Sequence, residues 1–413
     1  MSKKRITIIL GAGASVEFHQ PDKNGNLLAT SSLTSLLRPD RVDDFIKSTD
    51  EALIKQNKNW ALSSDIEAYK EYKKTFLKCV EYSMHYGFNF EETIHLIDTA
   101  IDVIRDHGQR YLDARLWGKE SSSFHLVNLF KGRYFTNITP SLGNLPFDVR
   151  DYILQYILKY HKLSIMAVPV WHNFIKKLTK KYFISLYNLN YDDLMIEVAK
   201  SIAEKESLCL NTGFDLQKGQ SHFNAMSFYN AQDILAQLHG NIHFVPEYNQ
   251  EIYISYFNDI LNADNKRLSF KRALYNQARA RDYNLTMITG LTKFEHIAKE
   301  PYATYYRRLI RDLDNSKIVI IIGYGGADTH INMVLKSPLI KGKKILIVDN
   351  IDKILYGEDV CNKLGDKLLN FLPDDFCNKQ SIIAKVVDLS IGENCKLYTY
   401  GTNKFIKTIA DAI

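Results

Sequence analysis

Asn190, Asp192 and His239 are residue types that could do chemistry, and each stands just past the end of an apolar run. "SLYNLNYDDLM" carries Asn190, Tyr191, Asp192 and Asp193 where a strand would give way to a helix, and "AQLHGNIHF" places His239 at another strand end, with Gly240 giving access. Amide, carboxylate and imidazole can orient a hydroxyl or a water and exchange its proton. Each also has a plainer explanation, since Asn and Asp cap helices and a single His is commonly structural. Two glycine turns accompany them. "ITIILGAGASVEF" runs into Gly11-Ala12-Gly13-Ala14-Ser15, and "IIIGYGGADTHINMVL" repeats the arrangement at Gly323, Tyr324, Gly325 and Gly326. Small residues after a buried strand let the backbone approach a phosphate, and a helix start offers unpaired N–H groups and a positive dipole end. A further run, "ILIVDN", ends on Asp349 and Asn350, groups able to hold ribose hydroxyls.

These groups meet only if the runs that carry them are strands of one sheet. "RITIILG", "YFISLYNLN", "DILAQLHG", "YNLTMITG", "KIVIIIGYG" and "KKILIVDN" are nearly continuous in Ile, Val, Leu and Tyr. Unbroken apolar runs suit parallel strands covered on both faces, so the fold class expected is α/β, a Rossmann-like parallel sheet. Between the first two runs lies a stretch with helical periodicity, including "SDIEAYKEYKKTFLKCVEYSMHY" and "NFEETIHLIDTAIDVIRD". The organisation expected is a first part of the nucleotide-binding domain over 1–39, a large all-helical insertion over 40–178, and the remainder over 179–413. That last part ends in two more strands, "IIAKVVDLS" and "KLYTYG", and a final helix.

Composition bounds the reading. The 413 residues are 46% hydrophobic and 24% charged, which is the balance of an ordinary globular protein. A formal net charge of +6, evenly spread, does not by itself argue for nucleic acid. No apolar run approaches the roughly 18 to 20 residues of a membrane helix, and "MSKKRITIIL" continues into a strand, so a cytoplasmic location is expected. Cys79, Cys209, Cys361, Cys377 and Cys395 form no C-x-x-C pair, so neither a disulfide framework nor a metal site is expected.

Glycines, amides, carboxylates and one imidazole at four strand ends describe a dinucleotide site with a catalytic corner. A dehydrogenase is disfavoured. Its G-x-G-x-x-G turn lacks the third glycine here, and "LATSSLTSLLRPD", some 20 positions on, does not read as a strand ending in Asp or Glu. The order G-A-G-A-S, N-Y-D, L-H-G, G-Y-G-x-x-D-x-H-I and I-V-D-N resembles the sirtuin-like family, in its bacterial NADase branch, and "MITGLTKFEHIAKEPYATYYRRLI" looks like a segment of that branch. The resemblance implies that Gly11, Ala12, Gly13, Ala14 and Ser15 line the pyrophosphate. It puts Asn190 and Asp192 at the nicotinamide end, makes His239 the general base, and sets Gly323, Tyr324 and Gly325 beside the nearer ribose. Asp349 or Asn350 would meet the adenosine ribose.

The departures narrow the chemistry. Sirtuin deacylases carry T-Q where Asn188-Leu189 stands, and two C-x-x-C pairs of a zinc module after L-H-G, whereas residues 241 to 317 contain no cysteine. The expected reaction is therefore cleavage of the nicotinamide–ribose bond of NAD without a metal. Asn190 would orient ribose or water, a neutral His239 would accept a proton, and Asp192 would help hold the carboxamide. Asp349 would repel a 2′-phosphate, so NAD is preferred to NADP. The family's biology implies NAD depletion in anti-phage defence, a homo-oligomer, and a HerA-like DNA-translocating ATPase as partner. The alternative is a binder without turnover: a sensor of NAD or ADP-ribose, or a nucleic-acid module using "KRLSFKRALYNQARARDY".

Overall fold

The protein is described by a computed structural model over residues 3–18, 33–34, 36–38, 77–97, 153, 156–157, 167–249, 251–257, 287–289, 293–349, 367–373, 390–392 and 394–409. Its centre is an α/β sheet of the Rossmann-like kind. Strand β1 (Lys4–Leu10) lies parallel between β2 (Tyr182–Asn188) and β7 (Ser316–Ile322). Outward from β2 comes β4 (Ile234–Gln237); outward from β7 come β8 (Lys344–Val348) and β10 (Cys395–Tyr398), all parallel. Only β9 (Ser390–Gly392), at the far edge, runs antiparallel. Residues Ile6 to Leu10 and Val319 to Ile322 are buried on both faces, which is why their apolar runs are unbroken.

The order β4-β2-β1-β7-β8-β10 places the reversal of winding between β1 and β7. In open α/β sheets that reversal opens a crevice beyond the carboxyl ends of the strands. Here the two turns at its mouth touch. Gly11 N–H donates to Ile322 O at 2.9 Å and Gly13 N–H to Gly323 O at 3.0 Å, while Gly323 N–H reaches Val348 O at 2.8 Å. Gly323 has φ +60°, and a Cβ there would lie 2.3 Å from Ala14 N and from Gly13 C. A Cβ on Gly11 would lie 2.5 Å from Gly323 O. Glycine is required on both sides because two backbones pack directly on each other.

Helix α1 (Gly13–Val16) is short, and α2 (Val168–Thr179) and α3 (Leu194–Lys205) pack together beside β2. Opposite the crevice, α4 (Tyr302–Asn315) brings Asp312 to the sheet. Its carboxylate accepts from Ser185 Oγ at 2.6 Å and Tyr187 Oη at 2.8 Å, and Arg308 Nε donates to both oxygens at 2.8 and 2.9 Å. Arg308 spends its other donors on carbonyls of Phe228, Tyr229 and Ala231, so this charge pair is fully compensated where it is buried. Helix α5 (Thr329–Leu335) follows the Gly323 turn. The last helix, α6 (Thr402–Ile409), sits against α1: Asn403 N–H donates to Glu17 Oε2 at 2.8 Å, and Thr402 Oγ1 to Gly13 O at 3.4 Å.

Two expectations change. Of "YNLTMITG", the described residues 287–289 form no sheet strand; Met287 makes a single antiparallel bridge with Gly240, and Ile288 N–H donates to His239 O at 2.8 Å, just past the end of β4. The sequence reading also passed over a second sheet, in which β3 (Gln220–His222) and β5 (Phe244–Asn249) flank β6 (Glu251–Phe257). Its apolar side joins the core through Phe214, which stacks on Phe244 at 5.1 Å and lies 6.2 Å from Tyr256. Within 40–178 the described residues are helical in the main, at 77–85, 90–97 and α2, whose last residue lies one past the expected boundary. Most of that stretch, the basic run 266–281 and most of "IIAKVVDLS" lie outside the described residues. No helix among the described residues is long and apolar enough to cross a membrane.

If the contact between the turns holds the crevice open, Gly323→Ala will lower unfolding stability by at least about 2 kcal/mol, since both φ and space exclude Cβ. Gly219→Ala, where a Cβ meets nothing within 4 Å, should change it by no more than about 0.5 kcal/mol. Urea denaturation of both variants checks this; equal losses would show that the contact does not matter.

Candidate active site

Asn190 is fixed by the crevice itself. Its amide nitrogen donates to Gly11 O at 3.0 Å and Ser15 Oγ at 2.9 Å. Both amide hydrogens are thereby used, and Oδ1 is the atom left for a ligand. Beneath it, Asn188 at the end of β2 donates to Gln237 Oε1 on β4 at 2.8 Å, and Leu238 N–H bonds Asn188 O at 2.8 Å. Asn188 and Gln237 are register partners, so Asn190 and His239, each two residues further, rise from adjacent strand ends.

Asp192 does what the simpler reading allowed: Oδ1 accepts from Leu194 N–H at 3.1 Å at the start of α3, and its carbonyl accepts from Asn241 Nδ2 at 2.7 Å. The glycine turn differs from a row of waiting donors. The N–H groups of Gly11, Gly13, Ala14 and Ser15 all bond protein carbonyls, and of this turn Ala12 alone keeps an N–H without a backbone partner among the described residues. Tyr324 is buried with its hydroxyl 2.7 Å from Asn332 Oδ1, and at Gly325 a Cβ would meet nothing. Asp349 pairs with Lys367, a residue not noticed in the sequence. That ammonium offsets the repulsion on which a preference for NAD over NADP rested. Asn350 lies outside the described residues.

His239 is not alone. Its Nε2 lies 3.0 Å from His330 Nε2, on α5, and 3.7 Å from Asp328 Oδ1, at the N-cap of that helix. Asp328 is paired with Lys293, whose ammonium also meets Glu91 Oε2 at 2.6 Å. Glu91 Oε1 in turn accepts from Tyr191 Oη at 3.0 Å. His330, Asp328, Lys293 and Glu91 carried no role in the sequence reading. Asp328 and His330 stood within the quoted "GADTHI", and their spacing put both at a helix start; nothing local pointed to Lys293 or Glu91, which arrive from distant segments.

The charges are arranged so that the imidazoles stay neutral. Burial lowers His239 well below its ordinary value, and the Lys293 ammonium adds to this against the opposing pull of Asp328. Burial and Lys293 likewise bring His330 to about 4. Burial pushes the Asp328 carboxyl up, but His239 and Lys293 beside it outweigh burial and hold it below the usual carboxylate range. Burial works against the Lys293 ammonium, yet Asp328 and Glu91 raise it above its ordinary value. His239, Asp328 and His330 come within 4.8 Å of one another, as do Asp193, Glu197 and His243. In each group a lysine already sits on a carboxylate, Lys293 on Asp328 and Lys200 on Glu197 at 2.7 Å. The arrangement can therefore orient a hydroxyl or water through Asn190 Oδ1 and take its proton on a neutral imidazole.

No family model matches the chain, and no curated protein matches it.

Acid should expose the cost of these neutral histidines. His330 binds its proton at about 6.5 when unfolded and at about 4 when folded, so the unfolded chain gains protons first and stability falls as pH drops between those values. Asp328, whose folded carboxyl is also held below its ordinary value, destabilises in the same direction but only below 3.8, outside this window. Between pH 7 and 4.5, His330 should account for about 2–3 kcal/mol of lost stability. Urea midpoints at both pH values should show a shallower fall for His330→Gln; an equal fall would assign the loss to other groups.

Proposed function

We propose that the protein is an NAD hydrolase that cleaves the bond between nicotinamide and ribose. The observation that carries this reading is the placing of Asn190 Oδ1 and a neutral His239 at adjacent strand ends, beside a glycine crevice at the reversal point of a Rossmann-like sheet. The leaving nicotinamide is a cation that becomes neutral, so the reaction needs little covalent help and much positioning. In this reading the pyrophosphate lies over the turn Gly11 to Ser15, approached closely where the residues are small and met by the Ala12 N–H. Asn190 Oδ1 holds a ribose hydroxyl or the attacking water as the ribose passes through an oxocarbenium-like state. His239 takes the proton released when water adds, and the partly buried Asp328 carboxylate steadies the imidazolium that results. Asp192 sets the geometry of the turn that presents Asn190.

An enzyme of this kind would deplete the NAD of its own cell. The proposal extends to a cytoplasmic anti-phage defence role, controlled by homo-oligomer assembly or by a HerA-like DNA-translocating ATPase.

Nicotinamide and ADP-ribose released from NAD by the purified chain, across a range of concentrations and with a candidate ATPase added, should be measured by chromatography. His239→Ala and Asn190→Ala should each reduce release by about 10²- to 10⁴-fold, the scale of a positioned proton transfer, while the chain stays folded. Turnover that survives both changes would refute the reading; NAD binding without release under every condition would make the protein a sensor.

A further inference from the structure

A base must present a bare nitrogen, and the surroundings of His239 decide which one it is. Among the described residues its side chain makes a single hydrogen bond, from or to His330 through the two Nε2 atoms at 3.0 Å. Two neutral imidazoles in this contact share one proton: one Nε2 donates it and the other accepts. The Asp328 carboxylate breaks the tie. It lies 3.7 Å from His239 Nε2, a position that favours an N–H and disfavours a lone pair on that nitrogen. Around the pair stand the Lys293 ammonium on Asp328, with Glu91 behind it, the Tyr191 ring 6.4 Å from His239, and the Tyr306 ring 5.5 Å from His330. The Asp328 carboxylate is held ionised by Lys293, so its influence is constant near neutral pH.

We propose that His330 is a positioning residue that accepts the Nε2 proton of His239, locking His239 in the Nε2–H form and making Nδ1 the basic atom offered to the substrate. On taking a proton at Nδ1, His239 can release its Nε2 proton along the existing hydrogen bond to His330 Nε2, so the charge moves one ring away from the reaction and no net proton is lost. A divalent cation is a poorer occupant of the cluster, because the Lys293 ammonium already sits on Asp328.

The kinetic part of this inference rests on the nicotinamide-cleavage reading; the tautomer does not, and it can be read without substrate. In chain labelled with ¹⁵N-histidine, the imidazole signals of His239, assigned by their loss in His239→Ala, should show a protonated Nε2 and a bare Nδ1 at pH 7.5. His330→Phe should mix the two forms. His330→Gln, whose side-chain oxygen can accept the same proton, should restore the single form even if the Phe variant folds poorly. For nicotinamide release, His330→Phe should lower kcat at least tenfold, short of the about 10²- to 10⁴-fold that the base itself contributes, with KM for NAD within about twofold and recovery in His330→Gln. A bare Nε2 on His239 in the native chain, an unchanged tautomer in His330→Phe, or tight zinc binding that shifts both rings would each overturn the proposal. Absence of nicotinamide release with the predicted tautomer present would sink the hydrolase reading and leave the pairing standing.

Discussion

Close backbone contact between the turns after β1 and β7 is the constraint on which the site depends. Gly11 and Gly13 carry no Cβ because Gly323 O and Cα occupy that space, and Gly323 adopts a positive φ because the turn must bend back over Gly13. Once the turns are locked, Gly11 O and Ser15 Oγ have fixed positions, and these two atoms hold the Asn190 amide. Asp312 ties the side chains of Ser185 and Tyr187 on β2 to Arg308 of α4, so the strand that presents Asn190 is also held to the helix packed on it.

Electrostatics adds a second layer. Burying one carboxylate near two imidazoles would ordinarily protonate one of them, since an isolated buried charge is costly. Lys293 removes that pressure by supplying the positive charge itself, and Glu91 holds the same ammonium from its other side. Glu91 belongs to the helical residues 90–97, so the stretch between β1 and β2 reaches the surroundings of His239 through Lys293. Residue Glu91 thus joins the described surroundings of the candidate site.

The parallel sheet was legible because each central strand is covered on both faces and must be apolar throughout, as Ile318 to Ile322 shows. Strand ends bearing Asn190 and His239 were legible for the same reason: polar groups stand out where such a run stops. The hairpin Phe244–Phe257 was missed because "EYNQEIYISYF" alternates over only a few residues and its turn lacks glycine. Lys293 and Glu91 were illegible on principle, since an ion pair between segments about 200 residues apart leaves no local pattern. The glycine turn was read as a close approach to a pyrophosphate, and the sequence could not say that the backbone of Gly323 fills that space.

Glu17 and Asn403 meet across 386 positions of sequence, and Thr402 touches Gly13 over a similar span. The first glycine turn is thus braced by the last described helix of the chain. Bringing these two segments together closes a loop over nearly the whole described molecule, a non-local contact of the kind that is costly in chain entropy and slow to form.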